Sequence, residues 1–186
     1  MKVKTKTKKT KIVVVTGTPG TGKTTLAKKL SKFLNYELIT YKNIISKKKL
    51  FESYDEERKC KIVDVKKLNK HVLELIKKAN NETVEGIIID SHLSHYFPKN
   101  SVGMCVVTKC KLKTLQGRLK KRRDNAKKVR ENLDCEIFDV CLTEAEEKGH
   151  KCMLVDTSTR YNTKTIASKI IKNLKTPGLR GNYKKV

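Results

Sequence analysis

Apolar positions along this chain follow two alternating rhythms. The first is a recurring continuous run, seen at Ile12 to Val15, Gly86-Ile-Ile-Ile-Asp90, Met104 to Val107 and Cys152 to Val155. Short apolar runs without polar interruption, β-branched at Ile12 to Val15 and before Asp90, predict strands covered on both faces, as in a parallel sheet. The second rhythm returns every three or four residues. Leu26, Leu30 and Leu34 recur among lysines; Leu68, Val72, Leu75 and Ile76 repeat the pattern, as do Ile166, Ile170, Ile171 and Leu174 ahead of Pro177-Gly178. Such spacing predicts amphipathic helices with one face turned to a core. Glu136 to Glu147 predicts a further continuous helix, closing at Gly149, a residue suited to the left-handed cap position. Strands alternating with helices predict an α/β fold with a central parallel sheet wrapped on both sides, and ligands at the carboxyl ends of its strands.

Two stretches stand outside that rhythm. Thr40 to Asp64 is polar and charged and contains Tyr54-Asp55-Glu56-Glu57, while Gly117 to Asn132 is dominated by lysine and arginine. Each lies between core elements, so each reads as an excursion from one domain, either a mobile flap or a solvated surface helix. A chain of 186 residues is long enough for one substantial core. We expect a single domain over 11–175, between a basic, disordered arm at 1–10 and a basic tail at 176–186.

The first strand leads directly into Gly17-Thr-Pro-Gly-Thr-Gly22-Lys23-Thr24 and then into a helical stretch. Glycines at this spacing let successive backbone N–H groups curl around phosphate oxygens, and the start of the following helix adds its positive dipole end. Lys23 is then placed to neutralise the β and γ phosphates, and the Thr24 hydroxyl to hold Mg²⁺. Asp90 ends a β-branched run, where proteins of this type keep the carboxylate that holds Mg²⁺; a plain turn-capping role is the alternative. His92, two residues on, either orients a water or phosphate there or satisfies a local hydrogen bond. In Arg118-Leu-Lys-Lys-Arg122-Arg123, and again at Arg130, arginines suited to a transferring phosphoryl group recur at about one helical turn. A flap closing over the phosphates and an exposed RNA-binding helix are both compatible with them.

Composition adds one constraint. The formal charge of +25, from 44 Lys and Arg against 19 Asp and Glu, makes a polyanion such as RNA a candidate partner. A generally lysine-rich composition produces the same excess without a binding role. The six cysteines lack metal-clip spacing and follow no signal-peptide pattern, so reduced, mostly buried thiols in an intracellular protein are expected. No apolar run reaches membrane-spanning length, and a soluble protein with no membrane partner is expected.

Taken together, Gly17-Thr-Pro-Gly-Thr-Gly-Lys-Thr-Thr25, Tyr54-Asp-Glu-Glu57, Asp90-Ser-His92 with Phe97-Pro98, and Arg118-Leu, Arg122, Asn132 and Cys135-Glu-Ile-Phe138 resemble the adenylate kinase isoenzyme 6 family in content and order. The resemblance runs from about Ile12 to Leu174. It implies a three-layer P-loop NTPase of nucleoside monophosphate kinase type, with an NMP-binding flap at about 40–64 and a short LID at about 118–132 that carries no zinc. It implies phosphoryl transfer from ATP to AMP or another nucleoside monophosphate, ATP hydrolysis, and Mg²⁺ as cofactor. It also implies assembly of the small ribosomal subunit and rRNA maturation, in contact with a ribosomal protein and pre-ribosomal RNA, in nucleus and cytoplasm, by a monomer. The alternative within that frame is a ribosome-assembly ATPase switch with little true kinase activity. Outside it stands a P-loop kinase acting on a small alcohol, which would need a general base near the acceptor.

By the same resemblance, Gly20, Gly22, Lys23, Thr24 and Thr25 bind the ATP phosphates. Arg122 closes on them, Asp90 and His92 form a Walker-B-like element, and Lys23, Asp90, His92 and Arg122 carry catalysis, with Thr24 and Asp90 at the metal. Ser46, Lys47, Tyr54 and Asp55 fall at the acceptor site. Relatives carry an arginine where Ser46 stands; Lys47 to Lys49 follow it, and a lysine makes no bidentate contact to phosphate. The segment Asp156 to Asn162 is expected near the adenine.

Overall fold

The first strand, β1 (Lys11–Gly17), is buried on both faces from Ile12 onward, and its alternate side chains feed two different cores. The computed structural model describes residues 10–58, 60–79 and 85–175. The expected basic tail, and all but the last residue of the expected arm, lie outside them.

Four more strands complete the sheet: β2 (Glu37–Thr40), β5 (Gly86–Asp90), β6 (Met104–Lys109) and β7 (Cys152–Asp156). The order is β2-β5-β1-β6-β7 with every neighbouring pair parallel. The order reverses at β1, with β5 on one side and β6 on the other, so the crevice beyond its carboxyl end is where such a sheet holds ligands. A separate antiparallel hairpin pairs β3 (Ser53–Asp55) with β4 (Cys60–Ile62).

Val13 and Val15 pack with Leu26, Ala27 and Leu30 of α1 (Lys23–Leu34) and with Ile166, Ala167 and Ile170 of α7 (Thr163–Lys175). Val14, one residue out of phase, packs with Leu68, Val72 and Ile76 of α3 (Val65–Ala79) and Ala145 of α6 (Val140–Glu147). That alternation is the pleat at work, and it makes three layers. Each fully buried Leu or Ile contributes about 1.5–3 kcal/mol relative to exposure.

The two polar stretches also carry structure. Tyr41–Lys48 forms α2, which leads to the β3–β4 hairpin. The basic stretch lies on α4 (Leu112–Lys121) and α5 (Ala126–Ile137), whose Leu115, Leu119 and Val129 bury a small core of their own with Cys110.

One sequence expectation needs correcting. The continuous helix over Glu136 to Glu147 is two helices, because α5 ends at Ile137 and Asp139 takes a left-handed conformation with φ 53°. Lys109 Nζ holds that corner by donating to the Glu136 carbonyl at 3.0 Å and to the Asp139 carboxylate. Phe138 is left 72% exposed at the break. All six cysteines are free thiols; Cys105, Cys110 and Cys152 are buried, and the other three only half-buried. No helix among the described residues is long and apolar enough to cross a membrane.

Candidate active site

The sheet delivers Gly17 to Gly22 at the carboxyl end of β1 as a tight loop. Gly17 adopts φ 134°, and a Cβ there would meet the Thr108 carbonyl oxygen and Oγ1 of β6 at 2.5 Å. Gly20, at φ 98°, sits under α4, where a Cβ would press on Leu115 at 2.8 Å and Leu119 at 2.9 Å. Gly17 therefore requires glycine for conformation and for space, and Gly20 for its conformation. Helix α1 follows with no side-chain cap and no acidic residue in its first turn, leaving its N-terminal amides available to an anion. Lys23 is buried and donates to the Thr18 carbonyl at 2.9 Å, a bond that keeps its ammonium inside the loop. Burial lowers its pKa to about 8, with Cys141 and Asp90 pulling the other way and the nearby Arg122 charge lowering it further.

Asp90, at the end of β5, faces the first turn of α1. Thr24 Oγ1 donates to its Oδ2 at 2.7 Å. Burial raises the Asp90 pKa, while the Thr24 bond and the charges of Lys23 and Lys28 oppose the rise. A hydroxyl and a carboxylate in contact are hard oxygen donors of the kind Mg²⁺ takes, together with substrate phosphates. No cluster of three or more His, Cys, Asp or Glu side chains that would cage a metal occurs among the described residues. The fit is therefore to a cation brought and completed by a nucleotide.

Below the loop runs a histidine relay. Thr16 Oγ1 lies 2.7 Å from His95 Nδ1, and His95 Nε2 lies 2.7 Å from Glu144 of α6. The second contact has ion-pair spacing, yet burial lowers the His95 pKa against the pull of Glu144. We read it as a neutral imidazole whose Nε2–H donates to Glu144 while Nδ1 accepts from Thr16. Thr16 Oγ1 also approaches the His92 carbonyl at 3.3 Å, so the relay reaches the turn that carries His92. His92 itself is exposed. Its pKa is lowered, first by the protein packed around the ring and then by Lys23, His95 and Lys128. Because the residue is open to water, it is the preference for the neutral form that matters here.

On the other side of the loop, Arg118 donates to the Thr157 carbonyl at 2.6 Å. Thr157 Oγ1 donates to the Thr21 carbonyl and stands 3.7 Å from a Cβ built on Gly22. The segment after β7 thus lies directly against the phosphate loop. Arg122, half-exposed at the end of α4, pairs with Asp124 at 3.1 Å. From α5, Glu136 accepts from Thr18 Oγ1 at 2.5 Å and from the Cys110 amide at 2.7 Å.

The expected acceptor residues are more scattered. Ser46 and Lys47 are exposed on α2, and Tyr54 is 47% exposed on β3. Asp55 accepts from the Arg58 amide at 2.8 Å and from its guanidinium at 3.0 Å, contacts that hold its carboxyl below the usual range. The hairpin turn also reaches α5. Arg58 pairs with Glu131 at 3.3 Å, Lys127 pairs with Glu57, and Lys128 Nζ donates to the Arg58 carbonyl at 2.9 Å. Thr24, Asp90 and Lys23 are brought together, with Arg122 close enough to act on Lys23 through its charge. Thr25 stays exposed in the first turn of α1.

The sequence pointed to no role for His95, and it placed Glu136 in the Cys135–Phe138 motif and Thr157 in the Asp156–Asn162 segment without a role of their own. The one available signal was Glu136, an acidic residue at helical spacing from Val129 and Asn132 on the inner face of α5.

Comparison with known proteins bears on the family and the fold. A family profile described as an AAA domain matches residues 13–139. The adenylate kinase isoenzyme 6 homolog of Drosophila melanogaster is 36% identical over 135 residues, 73% of this chain and 74% of that protein. The homolog of the same name from Dictyostelium discoideum is 32% identical over 144 residues, covering 77% and 79%. Among solved structures, Bacillus subtilis YorR protein, in complex with phosphorylated GDP, superposes with a TM-score of 0.53 at 19% identity, covering 88% of this chain and 95% of that one. At that identity the likeness concerns the fold.

Proposed function

This chain belongs to the adenylate kinase isoenzyme 6 family, and on that footing we propose that it transfers the γ-phosphoryl group of ATP to AMP or a related nucleoside monophosphate. The observation that carries the reading is the Thr24–Asp90 bond at the mouth of the phosphate loop, with buried Lys23 beside it. Lys23 and Arg122 neutralise charge on the transferring group. Asp90 and Thr24 would hold Mg²⁺, which when bound neutralises phosphate charge and orients the nucleotide. The acceptor phosphate is already an anion, so the site needs no general base. ATP hydrolysis, with a water in the place of the acceptor phosphate, is the second activity proposed for the same site.

The reading extends to assembly of the small ribosomal subunit in nucleus and cytoplasm, through a ribosomal protein and pre-ribosomal RNA. What supports it is the +25 charge and the family. An ATPase switch with little kinase activity is the second reading; exposed Ser46 in place of an arginine favours it, because the acceptor phosphate loses a bidentate partner. ADP formation from ATP, measured with and without a panel of monophosphates, decides between them. Stimulation by AMP supports transfer, and an unchanged rate leaves hydrolysis alone. Nucleotide-dependent capture of a small-subunit protein or rRNA precursor tests the assembly role, which purely salt-sensitive, nucleotide-independent capture would refute.

A further inference from the structure

Glu136 is a carboxylate in the wrong place for a surface helix. It is 5% exposed, on the buried face of α5 shared with Val129 and Asn132, where the pattern calls for an apolar side chain. Burying a carboxylate is costly unless its oxygens are used. Both are. Oε2 accepts from Thr18 Oγ1 at 2.5 Å, and Oε1 accepts from the Cys110 amide at 2.7 Å with Lys109 Nζ 3.5 Å away.

Thr18 is also the residue whose carbonyl receives Lys23 Nζ and the Thr21 hydroxyl. A displacement of Thr18 therefore displaces the lysine ammonium and the back of the phosphate cradle. The amino-terminal end of α5, about 15 Å from Glu136 at 1.5 Å per residue, carries Lys127 and Lys128 on the hairpin, with Glu131 midway along the helix, and begins four residues after Arg122. One rigid helix thus grips the phosphate loop at its carboxyl end and the closing surfaces at its amino end.

Resting on the phosphoryl-transfer reading, we propose that Glu136 is a positioning residue that couples closure of the α4–α5 pair to the shape of the phosphate loop through Thr18. The Glu136→Ala variant should raise the KM for ATP roughly tenfold, the scale of one hydrogen bond to a charged group, and leave the KM for AMP unchanged. Glu136→Gln should fall between, because its carbonyl still accepts from Cys110 while its amide can only donate to Thr18. Thr18→Val should match Glu136→Ala, and adding it to Glu136→Ala should change nothing further. A purely structural role would lower the melting temperature without separating the two KM values. A KM for ATP within twofold of wild type in both Glu136→Ala and Thr18→Val, or effects of the two that multiply, would overturn the proposal. Should Glu136→Ala fail to fold, Glu136→Gln, Thr18→Val and their combination carry the same comparison. Equilibrium binding of a fluorescent ATP analogue separates the two readings: a wild-type protein without turnover refutes phosphoryl transfer, and the roughly tenfold loss of binding still tests the coupling.

Discussion

The hydroxyl of Thr24 donates to Oδ2 of Asp90 at 2.7 Å and so fastens the first turn of α1 to the end of β5, 66 positions later in the chain. Asn at position 90 keeps an oxygen that Thr24 can reach but removes the charge. Asp90→Asn should therefore melt within about 4 °C of wild type, while turnover with Mg²⁺-ATP falls roughly a hundredfold. Turnover that survives the change would show that Asp90 only caps its turn.

Lys23 should report nucleotide as a proton. Burial holds its pKa near 8, and a bound triphosphate raises it, because the added negative charge favours the ammonium form. Binding between the two values takes up a proton, so affinity should be flat below pH 8 and fall by up to about tenfold per unit above it. Calorimetric titration at pH 8.5 to 9 in buffers of different ionisation enthalpy should show uptake that vanishes in Lys23→Met. Equal heats in all buffers for the wild type would contradict it.

Local pattern carried most of the sheet and little of the site. Strands β1, β5, β6 and β7 announced themselves as continuous apolar runs because their inner residues are buried, or nearly so, on both faces. Edge strand β2 did not: only four residues long, it offers Leu38 and Ile39 between two helices. The left-handed break at Asp139 depends on Lys109, thirty positions earlier, which no helical periodicity can register. The phosphate loop and Asp90 were legible because their chemistry demands fixed residue types at a strand end. His95 and Glu136 were not, since their partners Thr16 and Thr18 lie 79 and 118 positions away.

The buried histidines should make the fold sensitive to mild acid. His95 and His150 both have folded pKa values below the ordinary 6.5, burial being the first cause in each. Glu144 opposes the shift at His95, while Lys148 and His150 add to it; at His150, Lys148 and Lys99 do the same. A base with a depressed folded pKa contributes its stability fully above the unfolded value and loses it as pH falls toward the folded one. Unfolding free energy should therefore drop below pH 6.5, by no more than about 1.4 kcal/mol per pH unit for each histidine. Urea titrations between pH 7.5 and 5 measure the slope, which His95→Gln should flatten. A stability that stays level over that interval would count against buried neutral imidazoles.

The hairpin and α5 meet through exposed groups, which decides how strongly they hold each other. Arg58 pairs with Glu131, Lys127 with Glu57, and Asn125 donates to the Glu57 carbonyl at 3.1 Å. Arg58 and Lys127 keep about half of their side chains in water, so each pair is screened by salt and individually weak. A contact of this kind biases closure without locking it. Removing both cations in Arg58→Ala/Lys127→Ala should leave the melting temperature nearly unchanged and raise the KM for the acceptor about two- to fivefold. Raising salt from 0.05 to 0.5 M should produce the same rise in wild type and little in the double variant. A large loss of thermal stability would instead make the contact part of the folded core, and an equal salt response in both proteins would place the electrostatic bias elsewhere on the lid.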